Sequence, residues 1–193
     1  MKELVFLLEE PSAKAMLESL LPRILSNEIS VRCIPFEGKQ DLEKQLTRKI
    51  RAYQNSQARF IVLRDLDNHP DCLAVKNQLL ALCTQSGRAK QCVVRIACKE
   101  LETFYLADLQ AVEQALHING LVKHQQNKKF RNPDNLGGPS RELKNLTGQR
   151  YEKVAGSREI GKYLNLENQR SASFRNLIGA IRRMESELIS ESL

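Results

Sequence analysis

Four short apolar runs lie in the first hundred residues, and an amphipathic stretch separates each from the next. Residues 3–8 (Glu-Leu-Val-Phe-Leu-Leu), 60–63 (Phe-Ile-Val-Leu) and 92–97 (Cys-Val-Val-Arg-Ile-Ala) show no helical gap, as strands covered on both faces require. Residues 29–36 alternate instead, and Pro35 marks the end of that strand as an edge or exit position. Between the strands, Met16, Leu17, Leu20, Leu21, Ile24 and Leu25 form a helical stripe that opens at Pro11. A second stripe, Leu42, Leu46, Ile50 and Tyr53, predicts a helix over 41–54, and a third helix is predicted over 71–86, ended by Gly87. Strands that alternate with helices predict an α/β fold: a parallel four-stranded sheet with right-handed crossovers, flanked by helices.

Beyond the fourth strand, Phe104, Tyr105 and Leu106 belong to a short helix packed back on the sheet, and another helix covers about 108–117. Residues 118–140 are rich in Asn, Gln, Gly, Pro and Lys and read as a long loop, a lid or a linker. Short helices are expected near 140–147 and 157–164, and a final amphipathic helix over 172–189, capped by Ser171. The division that follows is an α/β domain over 1–118 and a basic loop and helical extension over 119–193 packed on it.

Composition adds three things. At 193 residues with 41% hydrophobic content the chain can bury a sizeable core, and no apolar run approaches the roughly 20 residues of a membrane helix. The start is too short and too soon acidic for a signal peptide, so a cytoplasmic protein is expected. The five cysteines are odd in number and lack a CxxC, which makes a poor disulfide or zinc framework. The net charge of +7 is uneven: residues 1–118 carry 16 basic and 15 acidic side chains, residues 119–193 carry 14 and 8. A basic back half suits a polyanion, here nucleic acid, with Lys128, Lys129, Arg131, Lys153 and Arg170 as candidate phosphate contacts. An ordinary solvated surface is the alternative for each.

The chemistry concentrates where strands end. Glu9 follows the first strand, Asp65 and Asp67 end the third, and Glu100 and Glu102 follow the fourth. In extended chain the i, i+2 spacing puts Asp65 and Asp67 on one side. If the three strands are neighbours, their carboxyl ends share a rim and the carboxylates converge. Oxygen ligands of this kind suit Mg²⁺ or Mn²⁺ and could support phosphodiester chemistry. Of the two glutamates after the fourth strand, Glu100 is expected to face the site. Helix capping or a solvated first turn would account for Glu9, Glu100 and Glu102 without any metal.

Strand-Glu followed by strand-Asp-x-Asp on this frame resembles the Toprim pattern of topoisomerases, primases and overcoming-lysogenization-defect-type nucleases. The chain is similar above all to a Toprim-like bacterial family of uncharacterised proteins often encoded beside an ABC-type ATPase. The pieces that carry the resemblance are Leu7-Leu8-Glu9-Glu10-Pro11-Ser12, Leu63-Arg64-Asp65-Leu66-Asp67, the run from Glu100 to Asp108, Lys129-Phe130-Arg131-Asn132-Pro133-Asp134, Tyr151 to Ser157, and Arg170 to Phe174. The resemblance implies a Toprim-like, Rossmann-like fold. It implies Glu9 as catalytic acid/base, Asp65 and Asp67 as catalytic metal ligands, and Glu100 or Glu102 as a further acidic member. Glu10 stands where many Toprim domains have Gly, and His69 where topoisomerase-type members have a third Asp; His69 suits a softer ion or a plain turn.

The expected function is a divalent-metal-dependent nuclease or phosphotransfer enzyme acting on DNA or RNA, the effector of a defence or mobile-element system, with an ABC-type ATPase as partner. Homo-oligomerisation is compatible with the sequence. The rival class is a non-catalytic regulatory or scaffold subunit whose acidic edge binds the ATPase. A small-molecule phosphatase ranks last, because its Asp-x-Asp should follow the first strand rather than the third.

Overall fold

The computed structural model describes residues 1–190. Four parallel strands, β1 (Glu3–Leu8), β2 (Ser30–Pro35), β3 (Arg59–Asp65) and β4 (Cys92–Ala97), form one sheet in the order β2-β1-β3-β4. Every residue of β1 and β3 is buried, which is why those runs carry no polar alternation. β2 lies at an edge, with Ser30, Val31 and Arg32 exposed and Cys33, Ile34 and Pro35 half-buried.

The helices divide between the two faces. α2 (Lys39–Arg51) and α3 (Cys72–Gln85) cover one face through Leu42, Leu46, Ile50, Val75 and Leu79. The other face carries α1 (Pro11–Leu20), α4 (Glu102–Leu106), α5 (Leu109–Leu116), the single turn α6 (Lys128–Arg131), α7 (Pro139–Leu146), α8 (Lys153–Gly161) and α9 (Ala172–Ser190). Residues of both halves of the chain share this second core: Leu4, Phe6 and Met16 pack in one cluster with Leu143, Ile160, Phe174 and Ile181. α1 and α8 come so close at Gly161 that a Cβ there would stand 2.6 Å from the Met16 carbonyl oxygen.

Two expectations are corrected. Residues 118–140 are no open lid: Leu121, Phe130 and Pro133 are buried. Gln125 fixes the segment, accepting from the Leu109 N–H and donating to the Leu106 and Phe130 carbonyls. One buried amide thereby satisfies backbone that secondary structure does not. Nor does the extended chain run on to Asp67. β3 ends at Asp65, and Asp67 turns into the left-handed region at φ 54° while its N–H donates to the Lys99 carbonyl.

The chain leaves β1 toward β2 on one side and returns to β3 on the other. The direction therefore reverses between β1 and β3, and such a switch point leaves a crevice at the carboxyl ends of the strands.

Candidate functional site

Glu9 and Asp65 occupy that crevice. Leu8 pairs with Leu63, the Glu9 N–H donates to the Leu63 carbonyl at 3.2 Å, and the Asp65 N–H donates to Glu9 Oε2 at 3.0 Å. Arg64, buried beneath, places Nε 4.0 Å from the same oxygen and gives its Nη1 to Glu43 at 2.6 Å. Burial pushes the Glu9 carboxyl above its ordinary range, against the pull of the Asp65 N–H, and the Asp67 charge adds to the rise. Asp65 is 8% exposed, and burial lifts its carboxyl well above the usual range, with Glu9, Glu102 and Glu10 contributing repulsion.

The third member is Glu102, in the first turn of α4 and fully buried. Its Oε1 accepts from the Tyr151 hydroxyl at 2.9 Å, and its Oε2 has no hydrogen-bond partner among the described residues. Burial raises its carboxyl as well, while Lys153 and Tyr151 pull it down. Tyr151 is held by its edge contact with Tyr105, ring centres 6.0 Å apart, and by Gly156, where a Cβ would come within 2.6 Å of the ring. Ser157 lies 3.2 Å from the Tyr151 hydroxyl.

Two lysines neutralise the flanks. Lys153, at the start of α8, meets Glu10 Oε2 at 2.7 Å, and Glu10 Oε1 accepts from Ser12. Lys39, at the start of α2, meets Asp67 at 2.8 Å. Each lysine's ammonium is favoured by the acids it faces, Lys39 chiefly by Asp67 and Lys153 by Glu10, Glu102 and Asp65 against its own burial.

The structure thus gathers Glu9, Asp65, Glu102, Glu10 and Lys153. Asp67 stands beside them on the Lys39 flank. Glu100 is spent otherwise: its Oε2 accepts from the Ser140 N–H at 2.7 Å and so holds the start of α7. His69 is a turn residue, its Nδ1 accepting from the Asp71 N–H while Asp71 caps α3. Of the other basic candidates, Lys129 pairs with Glu142 at 2.6 Å, Lys128 and Arg131 are exposed on α6, and Arg170 lines a cleft beyond α5 with Gln114 and Tyr163. Sequence reading missed Lys39, Tyr151, Arg141 and Lys144. The last two line a cleft with Asn68 and Glu100 beside the β3–α3 turn. Only Tyr151 carried a signal, the glycine five residues on that leaves room for its ring.

Among the described residues no group of three or more His, Cys, Asp or Glu side chains is arranged to hold a metal ion. The donors nonetheless fit one in kind. They are hard carboxylate oxygens, and the buried, unpartnered Oε2 of Glu102 lacks the cation or donor that such an atom needs.

Fold and site together define a parallel α/β protein with an acidic cluster at the carboxyl rim of its sheet. The family model described as "Domain of unknown function (DUF4276)" matches residues 8–182, and the chain belongs to that family. No curated protein and no solved structure matches the chain. No helix among the described residues is long and apolar enough to cross a membrane.

Proposed function

We propose that the chain is a Toprim-like, divalent-metal-dependent nuclease or related phosphotransfer enzyme acting on nucleic acid in the cytoplasm, the effector of a defence or mobile-element system with an ABC-type ATPase partner. One observation carries the reading: buried Asp65 lies at the crevice where the strand order reverses, repelled there by both the half-buried Glu9 and the fully buried Glu102. Leaving such groups together is costly unless a cation or ligand uses them.

Glu9, Asp65 and Asp67, with Glu102 behind them, would hold Mg²⁺ or Mn²⁺. The ion, when bound, supplies Lewis acidity at phosphorus and lowers the pKa of a bound water. The carboxyl of Glu9, raised by burial, would suit proton transfer at its Oε atoms. Lys153, freed from Glu10, would meet the charge on the phosphoryl oxygens. Arg141 and Lys144 would seat the nucleic-acid backbone along their cleft.

The test is to incubate purified protein with plasmid, single-stranded DNA and tRNA in Mg²⁺ or Mn²⁺, alongside Glu9→Gln and Asp65→Asn. Cleavage lost in both variants and in chelator is expected; cleavage retained by both removes these residues from the chemistry. The Lys39–Asp67 and Lys153–Glu10 pairs favour a second reading, a regulatory subunit whose rim is already neutralised from within. Tight binding of the ATPase with no Mn²⁺ uptake would select it.

A further inference from the structure

The outer edge of the sheet at β2 is open. Ser30 donates its N–H to the Lys2 carbonyl and Phe36 to that of Leu8, so in this parallel ladder the backbone groups of Ser30, Arg32 and Ile34 turn toward β1. Those of Val31 and Cys33 turn away from the sheet. Val31 is 41% exposed, and Ser30 and Arg32 are exposed beside it. Such an edge is a template for another strand.

A cleft flanks the edge on each face, and the two differ in character. Val31 and Cys33 line one of about 380 Å³ with the apolar Leu21, Pro22, Leu25 and Ile29, and Glu18, Ser26 and Asn27 complete its lining. Arg32 and Ile34 line the other, of about 670 Å³, with Arg48, Lys49 and Tyr53. Its one acid, Glu3, is buried and already accepts from Tyr53 and Asn55. This second cleft therefore presents three cations to whatever lies along β2.

We infer that β2 is a docking edge for an extended segment of a partner protein whose residues alternate apolar and acidic. Added as a fifth strand, such a segment satisfies the outward N–H and C=O groups of Val31 and Cys33. Its period of two sends every apolar side chain into the cleft of Leu21 and Leu25, and every carboxylate toward Arg32, Arg48 and Lys49. A second copy of the same β2 would instead bring Arg32 toward its counterpart's basic face, which charge disfavours. This surface is independent of the acidic rim, since it stands on the other side of β1 from β3.

The test is fluorescence anisotropy with a fluorescein-labelled nonapeptide alternating valine and glutamate, read beside amide NMR of the full chain. Saturable binding is expected, with the Val31 and Cys33 amides shifted and protected from exchange. Arg32→Glu weakens it roughly tenfold or more, and a valine–lysine peptide does not bind. Val31→Pro removes an outward N–H without touching the β1 ladder, so it abolishes binding while leaving the melting temperature near that of the parent. The inference is overturned by absence of saturable binding, by binding that Arg32→Glu and Val31→Pro leave unchanged, or by sedimentation showing peptide-free chains paired through this edge.

Discussion

Tyr151→Phe isolates the buried hydrogen bond on which the acidic site leans. The ring keeps its contacts with Tyr105 and Gly156, so little packing is lost. What disappears is the donor at 2.9 Å from Glu102 Oε1, and Oε2 already has none, so a fully buried carboxyl group is left without that support. A hydrogen bond to a charged group contributes about 1.5–3 kcal/mol. For a chain of this length about 2 kcal/mol corresponds to a melting temperature lowered by roughly 4–8 °C. The pH dependence follows from the direction of the shift. Burial already holds the Glu102 carboxyl above its ordinary range, so the folded chain binds that proton more tightly than the unfolded chain. Its ionisation therefore costs stability as pH rises from the ordinary carboxylate range through the raised value. Removing the Tyr151 bond raises the carboxyl further, so the variant's deficit grows with pH. Near pH 4, with Glu102 protonated in both proteins, the deficit shrinks. Denaturant melts of the two proteins at pH 4 and pH 8 provide the assay. A deficit equal at both pH values, or below about 0.5 kcal/mol at pH 8, refutes the reasoning.

Asp65→Asn should stabilise the protein at pH 7.5 while abolishing the proposed cleavage: its carboxyl is raised by burial and then by Glu9, so neutralising it relieves a cost present above the ordinary carboxylate range and absent near pH 4. A melting temperature that falls at neutral pH contradicts this. Gly161→Ala forces α1 and α8 apart at the Met16 carbonyl and should cost about 1–3 kcal/mol in urea unfolding; a neutral change would mean the helices slide freely. Arg141→Ala and Lys144→Ala should each weaken nucleic-acid binding across all sequences and reduce the slope of log affinity against log salt by about 1. An unchanged slope removes that cleft from the binding path.

The sheet was legible because burial on both faces leaves residues 4–8 and 60–63 as unbroken apolar runs, with the polar residues Glu3, Arg59, Arg64 and Asp65 at the strand ends, and because β2, at the edge, mixes polar and apolar positions. The convergence of Glu9 with Asp65 was also legible, since it needs only parallel strands and a reversal of order. What failed to show was long-range pairing. Glu100 and Glu102 both open a helix, and their roles separate only because Ser140 reaches Glu100 while Tyr151 reaches Glu102. Lys153 reads as one surface cation among thirty basic residues until α8 packs on α1 and sets it against Glu10, 143 positions earlier. Asp67 misled for a local reason: two aspartates at i, i+2 look extended, yet the turn after β3 takes the second into a left-handed conformation. Segment 118–140 looked unstructured because its order rests on scattered long-range contacts: the buried Leu121, Phe130 and Pro133, the amide of Gln125, and Asp134 accepting from Ser171 and the Ser173 N–H.

The central claim is that the carboxyl groups of the switch-point crevice hold a divalent cation. Anomalous diffraction from crystals soaked in Mn²⁺ tests it most directly. A peak within coordination distance of Glu9 and Asp65, lost in Asp65→Asn, is the predicted result. A saturating soak that leaves this crevice without a peak, in a protein preparation that still cleaves nucleic acid, would contradict it.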